Sequence, residues 1–199
     1  MAYKIEDIQA KIQPIFDQFQ NEPTAEIELR LGKHNGRNFD TNVGKDAFDR
    51  CLAGLRGYDG WEQVIVSNAD IYYNDAENIR LTVDGNTGEQ TMVKKTRHVV
   101  EDFSDASAAF DVRFAVSTET PVSGQYPAER KIIRERTSFF RKNLAIDASI
   151  VQSVGGGDQD AEDGVTYQIE LEIVDATRVE CAEQLFNILY KVNDVLKLM

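Results

Sequence analysis

Charged and apolar residues alternate along several segments of the chain, and this alternation limits the possible folds more than any other feature. In the segment AEIELRLG, Glu26, Glu28 and Arg30 fall on one face of a strand and aliphatic residues fall on the other. Five further segments repeat the arrangement, with polar faces that carry Gln168, Glu170 and Glu172; Arg80 and Thr82; Arg113, Ser117 and Glu119; Arg134, Arg136 and Ser138; and Lys95 and Arg97. The pattern predicts a predominantly β protein.

Composition excludes several other classes. With 199 residues and 42% hydrophobic residues, the chain is long and apolar enough for a folded core, which argues against a disordered acidic protein in spite of its net charge of −12. No apolar run reaches the length that spans a bilayer, and the first residues lack the apolar stretch of a signal peptide. We therefore expect a single domain over 1–199, inside the cell in the cytoplasm or nucleus. Cys51 and Cys181 are expected to be buried thiols.

Apolar spacing of helical type flanks the strand-like region. Isoleucines and Phe19 predict a helix over about 5–20, which Pro14 should kink or divide. A short helix is predicted over 44–55, and a C-terminal helix over about 177–198, with Thr177 and Glu180 as a capping box. Strands are predicted over 25–31, 63–67, 70–73, 78–83, 91–98, 110–118, 131–140, 144–150 and 166–174. An acidic, glycine-rich hairpin loop joins the last two.

An ordinary antiparallel sheet with one wet face would give the same alternation. Two details favour a different arrangement. Glutamates dominate the first and last strands, whereas arginines and lysines dominate those between, and a face built for solubility would mix the signs. The three amphipathic helices can also cover the apolar faces. The sequence therefore predicts a barrel over about 25–174, with apolar side chains outside, under helices, and charged side chains inside.

A charged interior is costly unless the charges are paired, solvated or bound to a ligand. Glutamates at alternate positions of neighbouring strands form a cluster of hard oxygen donors that suits Mg²⁺ or Mn²⁺. Arginines and lysines on the facing strands suit phosphate oxygens. Together the two sets complement a metal–polyphosphate complex.

At these residues the sequence resembles the triphosphate tunnel metalloenzymes, specifically the RNA 5′-triphosphatases of fungi and large DNA viruses that act in mRNA capping. The first glutamate motif of that family resembles the segment that runs from Glu26 to Gly32, and the last resembles Gln168–Glu172. The basic strand motif resembles the segment Arg134–Phe139. The resemblance covers most of the chain, from residue 25 to residue 174.

The resemblance implies an eight-stranded antiparallel tunnel, flanked by helices, that removes the γ-phosphate of triphosphate-ended RNA and of nucleoside triphosphates. It implies that Glu26, Glu28 and Glu172 hold Mg²⁺ or Mn²⁺. Phosphate oxygens would be bound by Arg30, Arg80, Lys95, Arg97, Arg113, Arg134 and Arg136. Glu119 would orient or deprotonate the attacking water. Glu170 would be catalytic together with Arg134 and Arg136, by positioning the basic residues or metal-bound waters. Supporting positions would be Ser117, Ser138, Asp147 and Gln168.

Two positions depart from the family pattern. Gln168 stands where a third glutamate of the terminal strand usually appears, and Ile132 stands where the basic strand often begins with another cation. Both departures leave the three predicted metal ligands in place. They remove one outer carboxylate and one phosphate contact.

Two alternatives remain open on the sequence alone. One is a tripolyphosphatase or thiamine triphosphatase of the same tunnel class, although those relatives more often have lysine where this chain has Arg30. The other is a non-catalytic module that binds polyanions, which would not need the paired glutamates.

The expected partner is the 5′ end of RNA, without recognition of base sequence. The densest basic run contains Lys94, Lys95, Arg97 and His98, and it lacks the interleaved aromatic residues of single-strand binding platforms. The chain also lacks the K-x-D-G nucleophile motif of a guanylyltransferase. A later capping step would therefore need a separate guanylyltransferase.

Overall fold

The computed structural model describes residues 3–154 and 164–199, and this part of the chain forms three helices and nine strands. The helices are α1 (Ile5–Phe19), α2 (Lys45–Arg56) and α3 (Ala182–Leu196). The strands are β1 (Ala25–His34), β2 (Phe39–Asp40), β3 (Gln63–Asn74), β4 (Ile79–Asp84), β5 (Gln90–Phe103), β6 (Asp111–Pro121), β7 (Arg130–Arg141), β8 (Leu144–Val154) and β9 (Val165–Ile173).

The eight long strands close into an antiparallel barrel. Their order around the barrel is β1-β6-β5-β4-β3-β7-β8-β9, and β9 then pairs back onto β1. Strand β2 lies outside this ring, beside the end of β1. Closure removes the open edges that a sheet would otherwise expose. The predicted eight-stranded barrel is confirmed.

Helices cover one side of the barrel and bury the outward faces of its strands. The outward residues Leu29, Phe114 and Leu171, from three adjacent strands, are fully buried. They belong to one apolar cluster with Phe16 of α1 and Leu189 of α3. Because successive residues of a strand point to opposite faces, burial of this outer set directs the charged residues between them into the barrel.

The wall formed by β3 does not follow this scheme. Its outward residues Val64 and Val66 are 50% and 58% exposed. Its inward positions carry Ala69 and Ile71, which are buried and lie opposite Arg134 and Ile132 of β7. The expectation of charge inside and covered apolar residues outside therefore holds for most of the barrel but not for β3.

Several local predictions were wrong. The segments predicted over 63–67 and 70–73 are one strand, since pairing to β7 continues through the residues between them. Strand β2 was not predicted. Helix α1 contains Pro14 and is not divided by it, so of the two predicted effects only a kink stays a prediction. The acidic hairpin loop lies at residues 155–163, outside the described residues.

The predicted start of the C-terminal helix was also wrong. Thr177 does not cap α3; it lies in a separate 3₁₀ turn, Ala176–Arg178, where its amide and hydroxyl donate to the carboxylate of Asp175. Helix α3 begins after Cys181, whose side chain makes no cap hydrogen bond and is exposed. Only Cys51 is a buried thiol. No helix in the described ranges has both the length and the apolar character needed to cross a bilayer.

Candidate active site

Strands β1, β9 and β8 form an acidic wall inside the barrel. Glu28 lies directly opposite Glu172 across the β1–β9 pairing. Asp147 lies directly opposite Glu170 across the β8–β9 pairing. Glu26 is two residues before Glu28 on the same face of β1. The predicted acidic residues of three strands therefore face one interior.

Arg30 and Arg136 bind Glu170 from two sides. The Arg30 Nε lies 3.1 Å from Glu170 Oε1, and Arg136 Nη2 lies 2.9 Å from Glu170 Oε2. Burial opposes ionisation of Glu170, but these two guanidinium groups hold the pKa of its carboxyl below its usual value. Arg30 also contacts Glu28, at 3.0 Å. Glu170 is therefore a buried carboxylate that fixes two cations.

Arg136 is held at three of its nitrogens. Its Nη1 contacts Asp147 at 2.7 Å, its Nη2 donates to Glu170, and its Nε donates to the hydroxyl of Ser149 at 2.9 Å. Ser149 is fully buried and lies directly opposite Arg136 on β8. The sequence analysis missed Ser149 as a site residue, although the alternation places it on the same face as Asp147.

Lys95 and Arg80 form the basic wall opposite Glu26. The Lys95 Nζ lies 2.6 Å from Glu26 Oε2 and 3.5 Å from Glu119 Oε1, and Arg80 contacts Glu119 at 2.7 Å. Burial disfavours the charge on Glu26, but Lys95 lowers the pKa of Glu26 below its usual value. Burial raises the pKa of Glu119; Arg80 opposes the rise and Glu26 adds to it. Glu119 is the more easily protonated of the two.

Arg134 differs from the other interior cations because it forms no ion pair with any described residue. Burial, and then the neighbouring charges of Arg136 and Arg80, lower its pKa to about 10. A guanidinium left in this environment without a carboxylate partner is available to an anion.

Buried polar atoms without a hydrogen-bond partner are concentrated in this interior. Within residues 3–154 and 164–199 they are Nε of Arg30, Arg80 and Arg134, Oε1 of Glu119 and Oδ1 of Asp147. Buried polar atoms are nearly always hydrogen-bonded in folded proteins, so each such atom needs an explanation. Two of these atoms still have an opposite charge nearby, since Arg30 Nε lies 3.1 Å from Glu170 Oε1 and Glu119 Oε1 lies 3.5 Å from Lys95 Nζ. Donors and acceptors left in this state inside the barrel match a polar, highly charged ligand.

The acidic wall has the donor chemistry for a hard divalent cation. In the described ranges, no three His, Cys, Asp or Glu side chains are gathered as a ready metal site, because Glu26 and Glu28 are engaged by Lys95 and Arg30. Glu172 has no such partner among the described residues. Burial, then Glu26 and other nearby carboxylates, raise the pKa of Glu172 to about 7. An added cation would relieve this repulsion.

Arg113 and Arg97 lie apart from the central cluster. Arg113 faces inward but donates from Nε and Nη2 to Asp102, at 2.7 and 2.8 Å, and its guanidinium packs 4.5 Å from the ring centre of Phe39. Arg97 lies opposite Ser117 and is exposed. The structure therefore brings Arg97 and Arg113 to the barrel interior but does not place them in the central ion-pair network.

The remaining predicted positions line the same interior. Ser117 lies opposite Glu26, with 3.5 Å between its hydroxyl and the carboxylate. Ser138 is buried opposite Asp147. Gln168 lies opposite Ser149 and donates to the Thr166 hydroxyl at 3.3 Å.

Comparison with known proteins by sequence gives a viral relative. No family model matches the chain. The chain is 30% identical over 156 residues to a 5′ RNA triphosphatase of Paramecium bursaria Chlorella virus 1, and the match covers 76% of each chain.

Solved structures agree in fold. The Schizosaccharomyces pombe RNA triphosphatase Pct1 superposes with a TM-score of 0.75 at 15% identity, covering 99% of this chain and 91% of that one. The triphosphatase of the mimivirus capping enzyme superposes with a TM-score of 0.68 at 14% identity, covering 100% and 99%. On the strength of the viral relative, together with this barrel, the chain belongs to the RNA 5′-triphosphatase family of the triphosphate tunnel type.

Proposed function

We propose that the chain hydrolyses the terminal phosphoanhydride bond of triphosphate-ended RNA, in the first step of mRNA capping. Water attacks the γ-phosphorus, the bond to the β-phosphate oxygen breaks, and the products are inorganic phosphate and diphosphate-ended RNA. Family membership supports the reaction class. The observation that carries the proposal is the set of unpartnered buried donors and acceptors inside the barrel.

The cationic residues would bind the phosphate chain. Arg134 is the foremost candidate, because its Nε is buried and no carboxylate of the described residues pairs with it. Arg136 would present its remaining N–H groups while Ser149, Asp147 and Glu170 hold its orientation. Negative charge accumulates on the phosphoryl oxygens during transfer, so fixed cations stabilise the transition state.

Further phosphate contacts are proposed at the edges of the cluster. Arg80, Lys95 and Arg30 would bind outer oxygens; each now pairs with a carboxylate of the site. Arg97 is exposed on the inner face and suits the α-phosphate or the RNA backbone. Arg113 is committed to Asp102, so we now propose for it a structural role in place of direct phosphate binding.

Glu119 would act on the attacking water. Its Oε1 is buried with no hydrogen-bond partner, whereas its Oε2 is fixed by Arg80. A carboxylate held in this way can accept a hydrogen bond from water and orient it toward the γ-phosphorus. The raised pKa of Glu119 makes it a better proton acceptor than an exposed glutamate.

A divalent cation, Mg²⁺ or Mn²⁺, would be held by Glu26, Glu28 and Glu172. These carboxylates offer the hard oxygen donors that such ions prefer. A bound cation supplies Lewis-acid polarisation of phosphate oxygens and neutralises charge. With a metal bound, Glu26 would no longer pair with Lys95, and Glu28 would no longer pair with Arg30. Both cations could then bind phosphate oxygens.

Two positions that depart from the family pattern limit the contacts. Gln168 provides a neutral amide beside Ser149 where a carboxylate is usual. Ile132 lies opposite Ile71 of β3, so this part of the interior is apolar and offers no additional cation. We propose that the remaining residues suffice for hydrolysis, and that the diphosphate end passes to a separate guanylyltransferase.

Steady-state release of phosphate tests the proposal. Triphosphate-ended RNA, a nucleoside triphosphate, tripolyphosphate and thiamine triphosphate are compared with Mg²⁺, with Mn²⁺ and with a chelator. We expect metal-dependent release with the highest kcat/KM on RNA. Higher kcat/KM on tripolyphosphate or thiamine triphosphate would instead assign the chain to those branches, and binding without release would indicate a polyanion-binding module.

A further inference from the structure

A second concave site lies on the outside of the barrel, away from the charged interior. It is a cavity of about 870 Å³ between α2, α3 and the turn that joins β7 to β8. None of the interior residues described above lines it. We refer to this site as the helical groove, bounded by Leu55 and Tyr58 on one side, Tyr190 and Asp194 of α3 on another, and Lys142 at the turn.

The charges of the helical groove are opposite in sign to those of the whole chain. Its lining contains the cations Arg141, Lys142, Arg178 and Lys191, and one acidic residue, Asp194. Asp194 is already neutralised by Lys191 at 2.8 Å and by Lys197 at 3.2 Å. A positive concavity on a protein with net charge −12 attracts an anionic partner at short range.

Two of these cations are uncommitted. Within the described residues, Lys142 and Arg178 form no ion pair, and both are exposed. Lys142 lies in the β7–β8 turn, with a φ of 52°, and is an exposed residue of the lining. One nitrogen of Arg141, Nη1, already donates a hydrogen bond to the carbonyl of Gly60 at 3.0 Å.

The helical groove also has an apolar lining. Its buried part is formed by Leu55, Leu144, Ile146 and Val195, and its accessible apolar surface is that of Ile188 and Leu198, which are partly exposed, and of Tyr190, which is 41% exposed. Such a surface accepts an aliphatic or aromatic side chain, whereas the cations at the rim would bind carboxylates. The combination fits a peptide with an apolar anchor between acidic residues.

The aromatic residues argue against single-stranded RNA as the occupant. The ring of Tyr58 is covered by Arg141 at 5.2 Å and meets Trp61 edge-on at 5.2 Å. The Trp61 indole donates to the carbonyl of Leu55. Both rings therefore already have a packing partner, and the ring of Tyr190 has Lys197 over it at 5.6 Å. Stacking on bases supplies much of the affinity of single-strand binding surfaces.

We propose that the helical groove is a docking site for an acidic peptide segment of a partner protein, with an aliphatic or aromatic anchor seated on the apolar lining. Lys142 and Arg178 bind carboxylates that flank the anchor. The site is separate from the interior, so a partner bound here leaves the triphosphate end accessible.

Fluorescence anisotropy with labelled peptides tests the proposal on the full chain. The probes are a panel of twelve-residue peptides rich in glutamate and aspartate with a central leucine, phenylalanine or tryptophan, and matched peptides with lysine at the acidic positions. A poly-uridine oligonucleotide of similar charge is the nucleic-acid probe. The variants are K142E/R178E and, as a control of equal charge change on exposed residues elsewhere, K4E/K94E.

We expect at least one acidic peptide to bind, with a Kd at least tenfold weaker in K142E/R178E and within twofold of the original in K4E/K94E. Phosphate release should be unchanged in both variants, which shows that they fold. Equal weakening in both variants, tighter binding of the oligonucleotide, or no binding by any acidic peptide at millimolar concentration would each overturn the proposal.

Discussion

Glu28 of β1 and Glu172 of β9 lie directly opposite each other at the point where the barrel closes. The register between these strands pairs three positions, and the next inward pair is Arg30 with Glu170. Like charges directly opposite each other destabilise a sheet, whereas opposite charges stabilise it. The closing seam therefore contains one favourable pair and one unfavourable pair, and the unfavourable pair is where a cation would bring the greatest gain.

Glu172→Gln should distinguish the effect of Glu172 on folding stability from its role in metal binding. In metal-free protein, burial and the neighbouring carboxylates raise the pKa of Glu172 from 4.5 to about 7. Its contribution to stability is then fully present below pH 4.5 and is lost as the pH rises through 7. At pH 8 with a chelator, the variant should be more stable than the original by at most about 3 kcal/mol. Thermal unfolding between pH 5 and pH 8 measures the difference.

The same variant should lose its response to metal. We expect Mn²⁺ to raise the Tm of the original protein by several degrees and to leave Glu172→Gln nearly unchanged, with phosphate release at least 100-fold lower. Glu180→Gln, at an exposed position, is the control. Strong metal-dependent turnover by Glu172→Gln would remove Glu172 from the metal site.

Arg134 and Arg113 should give opposite results on substitution. Arg134 has a buried Nε and no acidic partner in the part of the chain that the structure describes, so Arg134→Ala should lower kcat/KM by at least 100-fold with little change in Tm. Arg113 is bound to Asp102, so Arg113→Ala should lower Tm while kcat stays within tenfold. Parallel kinetics and thermal unfolding measure both. Near-normal activity of Arg134→Ala would exclude it as a principal phosphate ligand.

Ser149 should contribute to catalysis through Arg136. Removing its hydroxyl by Ser149→Ala leaves the Arg136 Nε without its acceptor, and we expect kcat to fall about tenfold with KM changed less. Asp147→Asn and Glu170→Gln remove charged contacts to the same guanidinium and should lower kcat further. Ser153→Ala, on the same strand, is the matched control. If Ser149→Ala and Ser153→Ala behave alike, Ser149 has no positioning role.

The two cysteines should differ in reactivity. Burial raises the pKa of Cys51 to about 12, whereas Cys181 is exposed. The thiolate is the reactive form, so a disulfide reagent at pH 8 should label one thiol in the folded protein and two in denaturant. Cys181→Ser should abolish labelling of the folded protein. Rapid labelling of folded Cys181→Ser would show that Cys51 is accessible.

Alternation alone did not distinguish a barrel from an ordinary antiparallel sheet. The barrel was predicted from the segregation of charge between strands and from the helices that could cover the apolar faces, and its eight strands from the family resemblance. Strand periodicity placed Glu26 on one face with Glu28, Glu170 with Glu172 and Arg136 with Arg134, because successive side chains of a strand point to opposite sides. The identity of each residue also fixed its possible chemistry. Neither inference requires knowledge of which strands are neighbours.

Local irregularities were not predictable in the same way. A bulge between Arg97 and Val99 shifts the register of β5, so Asp102 faces inward beside Arg113 although regular alternation would turn it outward. Asp102 was therefore missed, and Arg113 was assigned to phosphate without its partner. Thr177 has a capping-box pattern, but the carboxylate of Asp175 holds its amide and hydroxyl in a short turn.

The sequence by itself determined which side chains share a face of each regular strand and which charges they carry, because these depend only on a period of two and on residue type. Tertiary structure alone decided which charges meet. Pairing of β9 with β1 joins Glu172 to Glu28, and Ser149, Asp147 and Glu170 converge on Arg136 from two strands. These contacts leave Arg134 without a partner among the described residues, since the register and closure of the barrel set the distances on which electrostatic interactions depend.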